Sequence, residues 1–195
     1  WKASRVVRYE PRTRELPSLR RLVAASQAAG RPALDSVGMY ALGRTIGHGA
    51  FGAVKAGVHK LSGLRVAVKC YRNADVRTEA DARALEREVA ILRLVGGHMQ
   101  IVRLYELIDT PTHTYLVLEL ATHGDLATHL RASCPQAAAG GLADGAAAEL
   151  FAQACEAVAF CHANGVIHRD IKPENCLLAR GGRARAPAAA AVAAA

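Results

Sequence analysis

The sequence predicts an α+β fold: a five-stranded antiparallel sheet with one main helix, followed by a helical part. Two observations carry this prediction. From Met39 to Leu120, short segments rich in β-branched and other apolar residues alternate with turn residues, which is typical of antiparallel strands. The apolar period becomes helical over residues 78–95 and again after Gly124. Strands grouped first and helices grouped later favour α+β over an alternating α/β fold.

Five segments account for the strands. The first two, "YALGRTIG" and "AVKAGVHK", flank a glycine cluster. The third, "LRVAVKCY", follows the turn residues "LSG". The fourth and fifth, "IVRLYELID" and "TYLVLEL", surround the turn residues of "DTPTH". Short connections of this kind predict neighbouring antiparallel strands.

Two longer helices are predicted. The first spans residues 78–95, where Thr78 and Asp81 have the spacing of a capping box. Its apolar face consists of Leu85, Val89 and Leu92. The second helix begins at Asp144 as its N-cap, and Asn164-Gly165 ends it, because glycine favours the left-handed backbone after a helix.

The net charge of +8 lies in two flanking segments. Residues 1–37 hold eight Lys or Arg against three acids, residues 179–195 hold three Arg and no acid, and the part between is neutral. This distribution argues against a nucleic-acid surface and favours solvated tails. We interpret residues 1–37 as a weakly ordered basic arm and residues 179–195 as an Ala/Arg-rich tail of low complexity.

The cysteines and the hydropathy exclude several classes. The five cysteines include no C-x-x-C pair, so the sequence indicates neither a disulfide framework nor a zinc site. Reduced cysteines of this kind fit a cytoplasmic or nuclear protein. There is no signal segment and no apolar run long enough to span a bilayer, so no membrane partner is expected.

A glycine cluster lies between the first two predicted strands, in "GHGAFG" from Gly47 to Gly52. The spacing G-x-G-x-x-G also occurs in dinucleotide-binding turns, where a helix follows the last glycine. Here a strand follows it. The sequence therefore favours a glycine-rich β-turn lying over phosphates, because glycine lets backbone N–H groups approach an anion closely.

Lys69 and Glu88 are predicted to form an ion pair. Lys69 ends the buried-looking run "RVAVK" within the third strand, where a lysine usually extends its charge to solvent at the edge. Glu88 lies on the helix face that the apolar periodicity marks as buried. A buried carboxylate is costly without a cation, and Lys69 is the natural partner. Such a pair would direct the lysine toward nucleotide phosphates.

The segment "HRDIKPEN", from His168 to Asn175, is the most specific motif. Taken singly, its residues have ordinary explanations as an Arg–Asp ion pair, a proline turn and a polar cap. None of these explains all of them at this spacing, after the glycine cluster, Lys69 and Glu88 in that order.

On these motifs the chain resembles the eukaryotic protein kinase family over roughly residues 38–178. "HRDIKPEN" is similar to the serine/threonine branch, which has a lysine two residues after the aspartate. "CHANGVIHRDIKPEN" and "REVAILRLVGGHMQIVRLYELID" look most like the calmodulin-dependent and energy-sensing kinases. The resemblance implies a two-lobed fold, with a complete N-lobe over residues 38–120 and a partial C-lobe over residues 121–178. It also implies ATP and Mg²⁺ as cofactors and protein Ser/Thr hydroxyls as substrates.

By the same resemblance, an ATP site can be assigned residue by residue. Lys69, paired with Glu88, would hold the α- and β-phosphates. The glycines that would cover the phosphates are Gly47, Gly49 and Gly52. The side chains that would enclose adenine from above and below are Val54, Ala67 and Leu177.

The segment "LVLELATHGD" resembles the hinge between the lobes. Leu118 would be the gatekeeper at the back of the adenine pocket. Glu119 and Ala121 would offer backbone hydrogen bonds to adenine, and Asp125 would lie near the ribose.

The catalytic roles fall on the "HRDIKPEN" segment. Asp170 would orient the substrate hydroxyl and accept its proton. Lys172 would steady the transferred phosphoryl group, and Asn175 would bind a magnesium ion.

The pattern departs from the family after Asn175. The remaining residues contain no Asp-Phe-Gly, whose aspartate is a main magnesium ligand in the family, and no activation segment. We therefore expect a C-terminally truncated kinase that is inactive alone; the alternative is a non-catalytic, ATP-binding pseudokinase or scaffold fragment. Residues 179–195 are not expected to replace the activation segment or to bind metal.

Overall fold

The structure is a computed structural model that describes residues 36–49, 52–133, 142, 144–179, 183–185 and 192–193. The predicted basic arm up to residue 35 lies outside the described residues, as do Ala50 and Phe51 of the glycine cluster. Most of the predicted tail lies outside them too.

One antiparallel sheet of six strands forms the N-terminal part, in the order β1-β2-β3-β4-β6-β5. The strands are β1 Ser36–Val37, β2 Tyr40–Gly49, β3 Gly52–His59, β4 Arg65–Arg72, β5 Leu104–Asp109 and β6 His113–Glu119. The five longer strands confirm the predicted sheet. The additional strand β1 uses the last two residues of the predicted arm. It forms because Gly38 turns the chain at φ +50° and lets Val37 enter the core beside Tyr40.

The main helix, α1, spans Glu79–Val95 and has the predicted capping box between Thr78 and Asp81. The helix ends at Gly96, where a Cβ would overlap the carbonyl oxygen of Leu92. Its buried residues are Val89, Ile91, Leu92 and Val95. They pack on the sheet residues Tyr71 and Leu116, so the helix is fixed against β4 and β6.

The two faces of β4 serve different cores, because side chains alternate along a strand. Tyr71 belongs to the core under α1. Val66 and Val68 belong to a second core with Val37 and Tyr40 on the opposite face. This alternation directs the odd-numbered residues of β4 toward α1, and Lys69 is among them.

The C-terminal part begins with two helices, α2 Leu126–Ser133 and α3 Asp144–Ala163. Asn164 and Gly165, at φ +72°, end α3 as predicted. Only Ala157 and Cys161 of α3 are buried, and Phe151 is 72% exposed. Among the described residues, no helix is long and apolar enough to cross a membrane.

Four short strands follow: β7 Val166–Ile167, β8 Leu177–Ala179, β9 Arg183–Arg185 and β10 Val192–Ala193. β8 pairs with β9 and β10 pairs with β7, all antiparallel. The backbone of β10 also lies close to α1. β9 and β10 fall in the segment interpreted as a low-complexity tail. Strand pairing there uses backbone groups, which every residue except proline supplies in full, so a simple composition does not prevent it.

Candidate active site

The ion pair between Lys69 and Glu88 joins β4 to α1. The Nζ atom of Lys69 donates a hydrogen bond to Oε1 of Glu88 at 2.7 Å. The two side chains are only 16% and 13% exposed. The structure thus brings together the cation and the buried carboxylate that the sequence paired, on the α1 face of the sheet.

Tyr71 is a member of this cluster that the sequence reasoning missed. Its hydroxyl donates to Oε2 of Glu88 at 2.5 Å, and its ring centroid lies 5.0 Å from the Nζ atom of Lys69. Burial, reinforced by the Glu88 carboxylate, raises the pKa of Tyr71, so the phenol stays neutral and keeps its proton for donation. Its position two residues after Lys69, on the same face of a strand, is the signal that could have identified it.

The glycines of the cluster have different surroundings. In the β2–β3 hairpin, Gly47 lies opposite Val54 and Gly49 lies opposite Gly52. A Cβ on Gly52 would overlap the carbonyl oxygen of Cys70 on β4, so this position requires glycine for strand packing alone. A Cβ on Gly47 would meet only the Val54 side chain, at 3.9 Å. Close strand packing therefore explains Gly52 but not Gly47.

The residues assigned to the adenine roof and gatekeeper lie on adjacent strands. Val54 pairs with Lys69 across β3 and β4, and Ala67 pairs with Leu118 across β4 and β6. Ala67 is buried and Leu118 packs on the core under α1. These residues share the centre of the sheet with the Lys69–Glu88 pair.

The predicted hinge residues lie at the end of β6, which includes Glu119, and just after it. The backbone N–H of Glu119 donates to the carbonyl oxygen of Arg103 at 2.9 Å, so any backbone bond from Glu119 to a ligand has to come from its carbonyl oxygen. Ala121 lies in the connection that leads from β6 to α2 and is half-buried.

The start of α2 is tied to β8, which carries the predicted adenine floor. Asp125 and Leu177 form an isolated antiparallel bridge. On either side of it, the N–H of Leu126 donates to the carbonyl of Cys176 at 2.7 Å, and the N–H of Leu178 donates to the carbonyl of Gly124 at 2.8 Å. These bonds place Leu177 next to the segment that follows the hinge.

The Asp125 carboxylate caps α2. Oδ1 accepts from the N–H of Thr128 at 2.7 Å and Oδ2 accepts from its hydroxyl at 2.9 Å. The backbone N–H of Thr128 is the main cause that lowers the pKa of Asp125. Each carboxylate oxygen has a second acceptor site, so capping leaves Asp125 able to accept from a ribose hydroxyl.

Three residues of the predicted catalytic segment form a second, exposed cluster. The Lys172 ammonium lies 3.0 Å from Oδ1 of Asp170, and the side chains are 48% and 47% exposed. The Asn175 amide nitrogen donates to Oδ2 of Asp170 at 2.7 Å and to its carbonyl oxygen at 2.9 Å. The hydrogen bond from Lys172 is the main cause that lowers the pKa of Asp170, so this carboxylate is ionised at neutral pH.

His168 and Arg169 shape the backbone of this segment. His168 is 4% exposed, and its Nδ1 atom accepts from the N–H of Asp170 at 3.4 Å. Arg169 has φ +64°, a left-handed conformation that residues other than glycine rarely adopt. The buried imidazole and this turn direct the Asp170 side chain outward, toward Lys172 and Asn175.

The donor set at the second cluster fits a magnesium ion only in part. Among the described residues, no group of three or more His, Cys, Asp or Glu side chains could hold a metal. Mg²⁺ is commonly held by one or two protein oxygens together with phosphate oxygens and water. Because the amide nitrogen of Asn175 donates a hydrogen bond to Asp170, the amide oxygen of Asn175 is the atom that would face such an ion.

Comparison with known proteins identifies the family. Residues 40–186 match the family described as "Protein kinase domain". The serine/threonine protein kinases OSK3 and OSK4 of Oryza sativa subsp. japonica are both 43% identical over 139 residues, which is 71% of this chain and 26% of each relative. The SNF1-related protein kinase catalytic subunit alpha KIN12 of Arabidopsis thaliana is 37% identical over 139 residues, 71% of this chain and 27% of that protein. This chain thus spans about a quarter of the length of these relatives. It belongs to the protein kinase family, and the relatives confirm its resemblance to the serine/threonine branch and the energy-sensing group.

Proposed function

We propose that this site binds ATP with Mg²⁺ and transfers the γ-phosphoryl group to a serine or threonine hydroxyl of a protein. The observation that carries the proposal is the mostly buried Lys69–Glu88 pair at 2.7 Å. A lysine held by a carboxylate on the main helix is the arrangement that protein kinases need to bind nucleotide phosphates. The two rice relatives, which are named as serine/threonine protein kinases, support the choice of substrate.

Nucleotide binding would use residues of the β2–β3 hairpin, of β4 and of β8. Lys69 would contact the α- and β-phosphates, and the glycines at 47 and 49 would let backbone N–H groups approach them. The apolar side chains of Val54, Ala67 and Leu177 would enclose adenine. Burial of adenine against these apolar side chains would contribute affinity for the nucleotide in addition to the phosphate contacts.

Transfer would use the exposed cluster. The substrate oxygen forms a bond to the γ-phosphorus, the bond from that phosphorus to the β–γ bridging oxygen breaks, and ADP leaves. Asp170 accepts the hydroxyl proton, and its lowered pKa keeps it in the ionised form that can do so. Lys172 balances charge on the transferred group. A magnesium ion held by Asn175 would supply neutralisation of phosphate charge when bound.

These 195 residues are proposed to bind nucleotide but to transfer phosphate poorly by themselves. After Asp170 they contain one acid, Glu174, and no Asp-Phe-Gly. Without a further carboxylate on the metal, the transition state loses on the order of several kcal/mol of electrostatic stabilisation.

The lack of an Asp-Phe-Gly in these residues favours a second candidate, a non-catalytic module that binds ATP and acts as a scaffold. It is weakened by the assembled cluster of Asp170, Lys172 and Asn175, since a binding module does not need a proton acceptor. The two candidates differ in whether nucleotide binding depends on magnesium and in whether any phosphate is transferred.

Thermal shift with ATP and transfer to a generic serine peptide, each with and without Mg²⁺, test both candidates. The kinase proposal predicts stabilisation that increases with Mg²⁺ and slow transfer that disappears in Asp170→Asn, while that variant still binds ATP. Stabilisation independent of Mg²⁺ together with no transfer would support the scaffold. No stabilisation by ATP under either condition would refute both.

The proposed compartment is cytoplasmic or nuclear, as the reduced cysteines suggest. The described cysteines Cys70, Cys155, Cys161 and Cys176 are free thiols. Burial raises the pKa of three of them, Cys70, Cys161 and Cys176, which keeps these thiols protonated and unreactive.

A further inference from the structure

We propose that Tyr71 is a positioning residue for Lys69: the tyrosine hydroxyl and the lysine ammonium hold the two oxygens of one carboxylate, Glu88, and thereby fix the direction of the ammonium. This inference rests on the proposed function, because Lys69 matters here as the group that binds nucleotide phosphates. It adds a third member to a pair that the sequence already indicated.

The geometry places all three groups in one fork. Lys69 and Tyr71 are two residues apart on β4, so their side chains leave the same face of the strand toward α1. Lys69 bonds Oε1 of Glu88 at 2.7 Å and Tyr71 bonds Oε2 at 2.5 Å. A single carboxylate on the helix is therefore held at both oxygens by one strand.

Holding both oxygens restricts a rotation that one bond leaves free. With Lys69 alone, the Glu88 carboxylate could turn about its terminal torsion, which has broad energy minima, and the ammonium could follow it. The Tyr71 hydroxyl removes this rotation. The Tyr71 ring, with its centroid 5.0 Å from the Lys69 ammonium, limits the lysine from a second side.

Burial makes the tyrosine contact matter. Tyr71 is 1% exposed and the Glu88 side chain 13% exposed, so water can replace the hydroxyl only at a cost. A buried ion pair is well held only when its remaining lone pairs are also hydrogen-bonded. The raised pKa of Tyr71, which results first from burial, keeps the hydroxyl protonated throughout the physiological range.

A matched control exists in the same sheet. The Tyr40 hydroxyl donates to Oε2 of Glu106 at 2.9 Å, and Tyr40 is 6% exposed. The Tyr40→Phe variant thus also removes a tyrosine–glutamate hydrogen bond from a buried ring. It does so in the core on the opposite face, away from Lys69 and Glu88.

The experiment measures the dissociation constants of ATP and of adenosine for the full 195-residue chain and its variants. Adenosine lacks phosphates, so its dissociation constant measures the affinity of the adenine pocket with no contribution from a phosphate contact to Lys69. We expect Tyr71→Phe to weaken ATP about 5-fold, the equivalent of one hydrogen bond of about 1 kcal/mol, and to leave adenosine unchanged. Tyr40→Phe should leave both constants unchanged, and Glu88→Gln should reduce the effect of Tyr71→Phe.

Each other outcome is decisive. A parent chain that does not prefer ATP over adenosine overturns the proposed function and this inference with it. A parent that prefers ATP while Tyr71→Phe keeps the full preference overturns only the role of Tyr71. Equal weakening of ATP and adenosine would show a structural role and overturn it as well. If Tyr71→Phe does not fold, Tyr71→Met, which also fills the space without a hydroxyl, is measured in the same way.

Discussion

The two clusters of the site are built in opposite ways. Lys69, Tyr71 and Glu88 form a buried network that connects a strand to a helix. Asp170, Lys172 and Asn175 form an exposed network within one short segment. The first resists change because its charges have little access to water, and the second depends on local hydrogen bonds that water can replace. Stability should therefore depend on the buried cluster and transfer chemistry on the exposed one.

The largest effect is expected from Lys69→Met, which leaves the Glu88 carboxylate buried without its cation. We expect a loss of about 3 kcal/mol in the free energy of unfolding, measured by urea denaturation. Glu88→Gln removes the buried charge itself and should cost about 1 kcal/mol. In the double variant the two costs should not add, and simple additivity would show that the pair does not exist in solution.

Arg83→Met is the control for that series. Arg83 pairs with Glu79 on the surface of α1, where the side chains are 63% and 80% exposed. Its loss should cost no more than about 0.5 kcal/mol. A cost as large as that of Lys69→Met would remove the distinction between buried and exposed pairs.

The next effect concerns alkaline pH and distinguishes the clusters by their titrating groups. The pKa of Tyr71 is raised by burial, so the stability it contributes is complete below about pH 10, the pKa of an unfolded tyrosine, and is lost as the pH rises beyond that value. Each such group steepens the decline by up to about 1.4 kcal/mol per pH unit. Tyr71→Phe should flatten the curve of unfolding free energy between pH 10 and 11.

Two variants sharpen that measurement. Burial also raises the pKa of Tyr40 to about 12, so Tyr40→Phe should flatten the curve in the same direction. Asp170→Asn should leave its slope unchanged, because the exposed cluster contains no tyrosine. An unchanged slope in Tyr71→Phe would mean that the phenol is not buried as described.

A smaller effect is expected at Asp170, whose carboxylate is solvent-exposed. Its pKa is lowered chiefly by the hydrogen bond from Lys172, so Lys172→Met should move its NMR titration midpoint upward, toward the ordinary 3.8. A lowered pKa contributes stability that is present above the unfolded pKa and lost as the pH falls through the folded one. Solvent screens this contribution at an exposed carboxylate, so at pH 7 the unfolding midpoint of Asp170→Asn should lie only slightly below that of the parent. A large shift would show that the exposed cluster stabilises the fold as the buried one does.

The smallest effect is expected from deleting residues 180–195, which removes β9 and β10 and keeps the residues of β8 with their backbone contacts to Gly124 and Asp125. β10 pairs with β7, just before the catalytic segment, and its backbone lies close to α1, so the deletion tests whether the two clusters are independent. We expect the dissociation constant of ATP to stay within about twofold, since these residues supply no carboxylate and backbone pairing alone carries little specificity. A clear loss of ATP affinity with adenosine binding intact would show that the tail supports α1.

The sequence predicted the elements of the site better than their contacts. The α1 periodicity and the cost of a buried acid were sufficient to pair Glu88 with Lys69, because both are local patterns with a physical penalty. The capping box of Thr78 and Asp81 was predictable for the same reason. Tyr71 was not predicted, although its spacing from Lys69 places both on one face of the strand, because a tyrosine in a strand ordinarily indicates core packing and the bond to Glu88 depends on where α1 packs.

Contacts between distant segments were beyond the sequence pattern. The bridge of Asp125 to Leu177 depends on how α2, α3 and the catalytic segment fold back together. The sequence predicted backbone hydrogen bonds from Glu119 to adenine without saying which backbone group would make them, and the sheet register commits its N–H to Arg103. Strand register and the contacts between segments distant in sequence are set by tertiary packing, which no short motif encodes.

The Asp125–Leu177 bridge has a consequence for the order in which the pocket forms. Lys69 and Glu88 are separated by 19 positions along the chain, so closing that contact costs little chain entropy. The bridge closes a loop of roughly fifty residues, and the entropic cost of closure rises with the logarithm of loop length. Contacts of long range also slow folding. The proposed phosphate side of the pocket is therefore built from contacts close in sequence, and the proposed adenine floor from contacts distant in sequence. A chain emerging from the ribosome can form the first set before the residues of the second have been synthesised.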